Sequence, residues 1–183
     1  MMTEILLSGF GGQGVLFAGK FLCCAGIVEG REVSWLPSYG PEMRGGTCHC
    51  SVIISDKIIG TPIVQQPDIF IAFNEPSLAR FDPHIKPGGV MVADGSMMVS
   101  GVRSTRTDIT AFYPSAAQLA ADSGLSGLGN LVIIGKLLKE IALFQPETIK
   151  KAMQMAVPNT EKNETALLRL ENNLKAIALG KTL

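Results

Sequence analysis

A glycine-rich segment between two apolar segments constrains the fold of this chain more than any other feature. Residues 5–20 read ILLSGFGGQGVLFAGK, in which Gly9, Gly11 and Gly14 have the spacing G-x-G-x-x-G. The apolar residues before the glycines are typical of a strand, and a helix is expected from about Val15. In an open α/β sheet such a loop lies at the carboxyl end of the first strand, where ligands bind.

The chemistry of this loop suits an anionic ligand. Glycines allow the backbone to approach a phosphate closely, and the N-terminus of the following helix presents free N–H groups. We therefore predict a ligand-binding loop, hereafter the glycine loop, made of Phe10, Gly11, Gly12, Gln13 and Gly14.

A dinucleotide site needs a second component that this sequence lacks. An acidic residue should follow the second strand, about 20 residues after the glycines, to bind the ribose hydroxyls. Residues 34–38 read SWLPS, and the nearest acid, Glu32, stands at the wrong end of that strand. There is also no G-x-S-x-G motif for a nucleophilic serine. The sequence thus argues against an NAD-dependent enzyme, and we predict no catalytic residue.

A second loop, residues 37–46, reads PSYGPEMRGG and follows the second predicted strand. In a doubly wound sheet it would lie beside the glycine loop, at the same edge. Arg44 could then clamp a phosphate with its forked guanidinium. Two alternatives remain open for this loop: a surface loop whose Arg44 pairs with Glu42 or solvent, and a docking surface for another chain.

Alternating strand and helix patterns predict an α/β fold in one domain spanning residues 1–183. Apolar residues 68–73 and 90–93 are typical of central parallel strands covered on both faces. We expect a three-layer, mostly parallel sheet with C-terminal helices and a β-hairpin extension in which Ile58-Ile59 pairs with strand 47–55. Other strands are predicted at 4–8, at 32–36 and within 103–112, and helices at 13–28, 75–81, 114–122 (Pro114 first), 130–143 (capped by Asn130), from Pro146, and 164–179.

Composition excludes several classes of function. The 183 residues are 46% hydrophobic and 17% charged, with sixteen basic and sixteen acidic side chains. A neutral chain has no electrostatic basis for nucleic-acid or membrane-surface binding. No secretory signal or membrane-length apolar run is visible, which predicts a cytoplasmic protein. A chain with this high a fraction of hydrophobic residues is expected to bury part of its surface against partner subunits.

The cysteines do not have the spacing of a metal site. They occur as Cys23-Cys24 and Cys48-x-Cys50, whereas zinc and iron–sulfur sites commonly use C-x2-C pairs. We interpret all four as buried apolar residues, expect His49 to face away from Cys48 and Cys50, and predict no metal in this chain.

Taken together, several motifs closely resemble one family, the gamma subunit of 2-oxoacid:ferredoxin oxidoreductases. The resemblance covers residues 3 to about 178, and residues 39–46 (YGPEMRGG) are its most specific part. PSYGPEMRGGT is similar to the 2-oxoglutarate or branched-chain types, of which we favour 2-oxoglutarate. The motifs are GFGGQGV, SWLPSYGPEMRGGTCHCSVIIS, PDIFIAF, KPGG, and Gly129-Asn130 with Gly135.

This resemblance implies a function that the residues alone do not show. Such enzymes convert a 2-oxoacid and coenzyme A to acyl-CoA and CO2 and reduce ferredoxin. Thiamine diphosphate, Mg and the iron–sulfur clusters would lie on alpha, beta and ferredoxin-like delta subunits. This chain would be a Rossmann-like unit over the active site, binding no cofactor alone. The glycine loop, with Ser38, Met43, Arg44 and Gly45, would face coenzyme A.

One departure from the family pattern concerns charge. The related single-chain pyruvate enzymes have a lysine-rich second loop, whereas Arg44 is the only cation in this one. The resemblance therefore implies a weaker or differently placed grip on phosphate. Two other hypotheses remain: a purely structural subunit that braces the thiamine-binding chains, and a free-standing nucleotide-binding protein.

Overall fold

The computed structural model describes residues 1–40, 45–159 and 163–183. Its strands and helices alternate along the chain, with short 3-10 turns at Asp82–His84 and Gly95–Met97. The strands are β1 (Met2–Phe10), β2 (Glu32–Tyr39), β3 (Thr47–Ser55), β4 (Ile69–Ala72), β5 (Val90–Ala93) and β6 (Thr110–Phe112). The helices are α1 (Val15–Val28), α2 (Glu75–Phe81), α3 (Ala116–Asp122), α4 (Gly129–Glu140), α5 (Pro146–Ala156) and α6 (Glu164–Gly180). No helix among these residues is long and apolar enough to cross a membrane.

The strands form one six-stranded sheet in the order β2-β3-β1-β4-β5-β6. The neighbouring pairs β1–β4, β4–β5 and β5–β6 are parallel, while β3 is antiparallel to both β1 and β2. Sheet residues alternate between two hydrophobic cores. Ile5 and Leu7 belong to the core that contains α1, α4, α5 and α6, while Leu6 and Phe70 pack with Leu78 of α2. The predicted α/β fold, with helices on both faces of the sheet, is confirmed.

The predicted β-hairpin partner is wrong. Residues 58–59 are not a strand, and Ile58 is 91% exposed. The reason is that β3 is already paired on both sides, so it has no free edge for a third strand. The antiparallel hairpin is instead formed by β2 and β3, and β2 continues through Pro37 to Tyr39. Because β2 is an edge strand, the missing N–H of Pro37 is tolerated there.

Three predicted helix starts are also wrong. α1 begins at Val15 rather than at 13, because Gly14, with φ 75°, is its N-cap. Asn130 is not an N-cap: α4 begins at Gly129, and the Asn130 side chain instead donates a hydrogen bond to the Gly14 carbonyl. α4 ends at Glu140 rather than at 143. Pro114 precedes α3, which begins at Ala116 because the Asp94 carboxylate accepts the first N–H groups of that helix from outside.

Candidate functional site

The glycine loop lies at the carboxyl end of β1, between β3 and β4. From β1 the chain passes through α1 to β2 on one side, and from β4 it passes through α2 to β5 on the other. The carboxyl ends of β1 and β4 therefore form the topological switch point of the sheet. In open α/β folds, ligands bind in the crevice at this position.

The backbone of the glycine loop leaves the N-terminus of α1 uncapped. Gly14 is the N-cap residue with φ 75°, and no side chain caps the helix. The first helical hydrogen bond runs from Ala18 N to Gly14 O at 3.0 Å. The N–H groups of Val15, Leu16 and Phe17 therefore have no partner within the helix. Gly12, with φ 101°, makes the turn before it in a conformation that other residues rarely adopt.

The side chain of Gln13 connects the glycine loop to the end of β4. Its Oε1 accepts from Phe10 N at 2.7 Å and from Asn74 Nδ2 at 2.9 Å, while its Nε2 donates to the Phe73 carbonyl at 3.1 Å. These bonds hold the glycine loop at the switch point. The contribution of Gln13 to the site is therefore positioning, since its polar atoms bond to the protein itself.

The described end of the second loop, Gly45 and Gly46, lies beside the glycine loop, as predicted. Gly11 N donates to Gly46 O at 2.9 Å, and Gly45 N donates to Gly11 O at 3.4 Å. Gly45 is thus next to the glycine loop, whereas Met43 and Arg44 lie outside the described residues. Ser38 lies apart from both, on the β2 surface.

Ser38 and Tyr39 lie on opposite faces of the sheet. Ser38 pairs with His49 across the β2–β3 ladder, and the His49 ring lies 5.5 Å from the Phe81 ring of α2. Ser38 therefore faces the α2 side. Tyr39 faces the α1 side and lines a pocket with the glycine loop.

This glycine-loop pocket has a volume of about 360 Å³. It combines the open end of α1 with apolar and aromatic side chains. Five lining residues were not among the predicted site residues, although three of them lie in the first turn of α1, which was a usable signal: Val15, Leu16, Phe17, Tyr39 and Cys48. The lining residues are Phe10, Gly11, Gly12, Gly14, Val15, Leu16, Phe17, Tyr39 and Cys48.

Three of the four cysteines, Cys24, Cys48 and Cys50, are buried as predicted, whereas Cys23 is only partly buried. Burial raises the pKa of the Cys50 thiol to about 12 and that of Cys23 to about 11, so both stay protonated at neutral pH. Burial also raises the pKa of Cys48, which lines the pocket as a thiol. His49 faces away from Cys48 and Cys50, as predicted, and both burial and the charge of Arg80 lower its pKa. In the described parts of the chain, no three His, Cys, Asp or Glu side chains are arranged to hold a metal ion.

The fold and the site define a doubly wound α/β domain of the Rossmann type with a glycine loop at its switch point. Residues 4–183 match the pyruvate ferredoxin/flavodoxin oxidoreductase family, and the chain belongs to that family. This membership confirms the resemblance found in the two loops.

Two curated relatives show the range of lengths in the family. The chain is 35% identical to the 2-oxoglutarate synthase subunit KorC of Methanocaldococcus jannaschii, with 89% of each chain covered. It is 33% identical to the ketoisovalerate oxidoreductase subunit VorA of Methanothermobacter marburgensis, over 97% of this chain but 36% of the relative. The chain therefore spans about a third of the length of VorA.

Solved structures show the same fold. The gamma subunit of a keto/oxoacid ferredoxin oxidoreductase from Geobacter sulfurreducens has a TM-score of 0.76 and 29% identity, covering 98% of this chain and 96% of that one. A 2-oxoglutarate:ferredoxin oxidoreductase from Magnetococcus marinus, with 2-oxoglutarate, coenzyme A and succinyl-CoA bound, has a TM-score of 0.82 and 24% identity. It covers all of this chain and 31% of the other.

Proposed function

We propose that this chain is the gamma subunit of a 2-oxoacid:ferredoxin oxidoreductase and that its glycine-loop pocket lines the coenzyme A site. The complex would convert a 2-oxoacid and coenzyme A to acyl-CoA and CO2 and pass two electrons to ferredoxin. Alpha, beta and ferredoxin-like delta subunits would carry thiamine diphosphate, Mg and the iron–sulfur clusters. Family membership and the match to KorC over 89% of each chain support the role of a separate subunit.

The favoured substrate of the complex is 2-oxoglutarate. The KorC relatives match this chain over most of their own length, whereas VorA is covered over about a third of its length. The pocket in this chain would not select the 2-oxoacid, because it would contact coenzyme A. A reconstituted complex assayed with 2-oxoglutarate, 2-oxoisovalerate and pyruvate would identify the substrate by the largest kcat/KM.

The observation that carries the proposal is the uncapped N-terminus of α1, which opens into an aromatic pocket. The N–H groups of Val15, Leu16 and Phe17 lack helical partners, and these three residues line the pocket. Such amides, together with the positive end of the helix dipole, favour a phosphate. The apolar walls formed by Phe17 and Tyr39 suit the uncharged parts of coenzyme A, its adenine and its pantetheine arm.

A carboxylate placed in the first turn of α1 tests this proposal. Leu16→Glu adds a negative charge where a phosphate would bind, while an acidic side chain at this position is compatible with the helix dipole. Competition and charge repulsion should raise the KM for coenzyme A about tenfold, which corresponds to about 1.4 kcal/mol, with kcat nearly unchanged. The assay is dye reduction by the reconstituted complex with 2-oxoglutarate.

Leu16→Gln is the matched control, because it has the same size as Glu and removes the same apolar contact without adding charge. Its KM for coenzyme A should stay within about twofold of that of the parent protein, well under the tenfold expected for 1.4 kcal/mol. If Leu16→Glu and Leu16→Gln show the same coenzyme A dependence as the parent, the pocket does not contact coenzyme A. The chain would then be a structural brace for the thiamine-binding subunits.

A further inference from the structure

The first glycine of the G-x-G-x-x-G spacing makes room for a side chain of the protein itself. A Cβ at Gly9 would lie 2.8 Å from Gln13 Oε1 and 2.9 Å from Phe73 Cβ. Cβ atoms essentially never approach other heavy atoms this closely, so only glycine leaves space for the Gln13 amide at this position. Gly9 therefore serves the internal support of the glycine loop, and not the approach of a ligand.

The Gln13 amide can support the glycine loop in only one of its two orientations. Its Oε1 accepts a hydrogen bond from the backbone N–H of Phe10, at the start of the loop, and its Nε2 donates to the Phe73 carbonyl directly after β4. Turning the amide over would place its NH2 group against the Phe10 N–H and its oxygen against the Phe73 carbonyl. Both hydrogen bonds would then be lost.

Asn74 selects the orientation of the Gln13 amide, because its Nδ2 donates to Gln13 Oε1 at 2.9 Å. The Asn74 amide is itself oriented by helix α2, since its Oδ1 accepts from Ser77 N at 3.0 Å and so caps that helix. With its oxygen engaged there, Asn74 presents only N–H donors to Gln13, and only the oxygen of Gln13 can accept them. Asn74 is buried, with 3% of the residue exposed, so solvent does not compete for these bonds.

We infer that Asn74 is a positioning residue for the reaction with coenzyme A, because it fixes the glycine loop through Gln13. The cap of α2 orients Asn74, Asn74 orients Gln13, and Gln13 bonds to Phe10, which lines the glycine-loop pocket. Both polar groups of the Asn74 side chain bond to the protein, so Asn74 acts through the loop and not on a ligand. This inference rests on the proposed function of the glycine-loop pocket.

Asn74→Asp and Asn74→Ser test this inference in the reconstituted complex, with coenzyme A as the varied substrate. Both new residues are good N-caps, so α2 stays capped. An ionised carboxylate has no donor for Gln13 Oε1, and a serine hydroxyl is one bond too short to reach it. Because one hydrogen bond that holds the loop is lost, the KM for coenzyme A should rise about fivefold in both variants, with kcat nearly unchanged.

Asn163→Asp and Asn163→Ser are the matched controls. Asn163 is the N-cap of α6, where its side chain accepts from Thr165 N at 2.8 Å. The same chemical changes at this second N-cap should leave the KM for coenzyme A at the parent value. A KM in both Asn74 variants equal to that of these controls overturns the inference. A rise in Asn74→Asp alone also overturns it, because the neutral Asn74→Ser would then show that added charge, and not the lost donor, repels the phosphates.

Amide hydrogen exchange of residues 5–17 separates this inference from the proposed function. It is measured by mass spectrometry on the complex without coenzyme A. Exchange should be faster in both Asn74 variants than in the controls, because the Phe10 N–H and its neighbours lose a fixed acceptor. If exchange and KM stay at the control values while Leu16→Glu raises the KM for coenzyme A, the inference fails and the proposed function stands.

The opposite combination has a different meaning. If exchange is faster in the Asn74 variants, but neither they nor Leu16→Glu change the KM for coenzyme A, the proposed function fails. Asn74 would then support the glycine loop without serving the coenzyme, and its role in the reaction would be overturned as well.

Discussion

At the scale of the residue, Cys50 shows how one side chain sets the approach of a helix to the sheet. Its Sγ donates a hydrogen bond to the Val15 carbonyl at 3.7 Å. The space for the sulfur exists because residue 19 of α1 is a glycine. A Cβ at Gly19 would lie 2.5 Å from Sγ and 3.1 Å from Trp35 Nε1.

The first prediction is that Gly19→Ala destabilises the fold. The added methyl group must displace a fully buried sulfur or shift α1 away from β3, so the free energy of unfolding should fall by about 1–3 kcal/mol. Higher helix propensity of alanine offsets about 1 kcal/mol of this at most. Denaturant unfolding of the purified protein measures the change.

Gly60→Ala is the control for Gly19→Ala. A Cβ at Gly60 would meet nothing within 4 Å, so its stability should match that of the parent protein to within about 0.5 kcal/mol. Equal unfolding midpoints for the two variants would show that the Cys50 contact tolerates a methyl group.

At the scale of the element, two glycines decide how α4 and α6 pack. A Cβ at Gly135 would clash with the Ile177 carbonyl and lie 2.8 Å from the Gly180 Cα atom. A Cβ at Gly180 would clash with the Val132 carbonyl. The two helices therefore touch backbone to backbone, and no side-chain movement can relieve a substitution there.

The second prediction is that Gly135→Ala lowers the free energy of unfolding by about 3 kcal/mol. This value lies in the upper part of the range for overpacking, because the added methyl group meets backbone atoms that cannot move aside. Lys139→Ala on the exposed side of α4 is the control and should change stability by less than about 0.5 kcal/mol. A loss in Gly135→Ala no larger than that of the control would mean that α4 and α6 can separate slightly at no cost.

At the scale of the whole molecule, the glycine loop is held by residues from far along the chain. Gln13 bonds to Phe73 and Asn74, Gly11 to the second loop, and Gly14 to Asn130, which is 116 residues away in sequence. The loop is therefore positioned by the complete fold, and the open end of α1 depends on that positioning.

The third prediction is that Asn130→Ala separates stability from coenzyme use. In this variant the Gly14 carbonyl still accepts the hydrogen bond from Ala18 N, and the Asn130 Oδ1 atom, which has no partner among the described residues, is removed. The free energy of unfolding should therefore change by no more than about 1 kcal/mol. The N-terminus of α1 loses its tie to α4, so the KM for coenzyme A should rise several-fold.

Asn172→Ala on α6 makes the same chemical change away from the pockets that adjoin the glycine loop and serves as the control. An unchanged KM for coenzyme A in Asn130→Ala, measured beside this control, would mean that the tie between α1 and α4 does not shape the site.

Local patterns were enough to predict the elements that depend on local chemistry. The glycine loop, the buried strands β4 and β5, and the final helix all follow from turn chemistry and hydrophobic periodicity. On α6, Leu170 and Ile177 are buried in the core, while Leu167 is 44% exposed. The predicted nearness of the two loops also follows from topology, since parallel strands end at the same edge.

The sequence by itself thus determined the fold class, the glycine loop and the family. Tertiary structure alone decided which strands β3 pairs with and that Asn130 bonds to Gly14 instead of capping α4. The physical reason is the distance along the sequence over which each kind of interaction acts. Turn, helix and strand preferences act between residues a few positions apart, whereas Asn130 reaches the Gly14 carbonyl only when α1 and α4 pack in the same core.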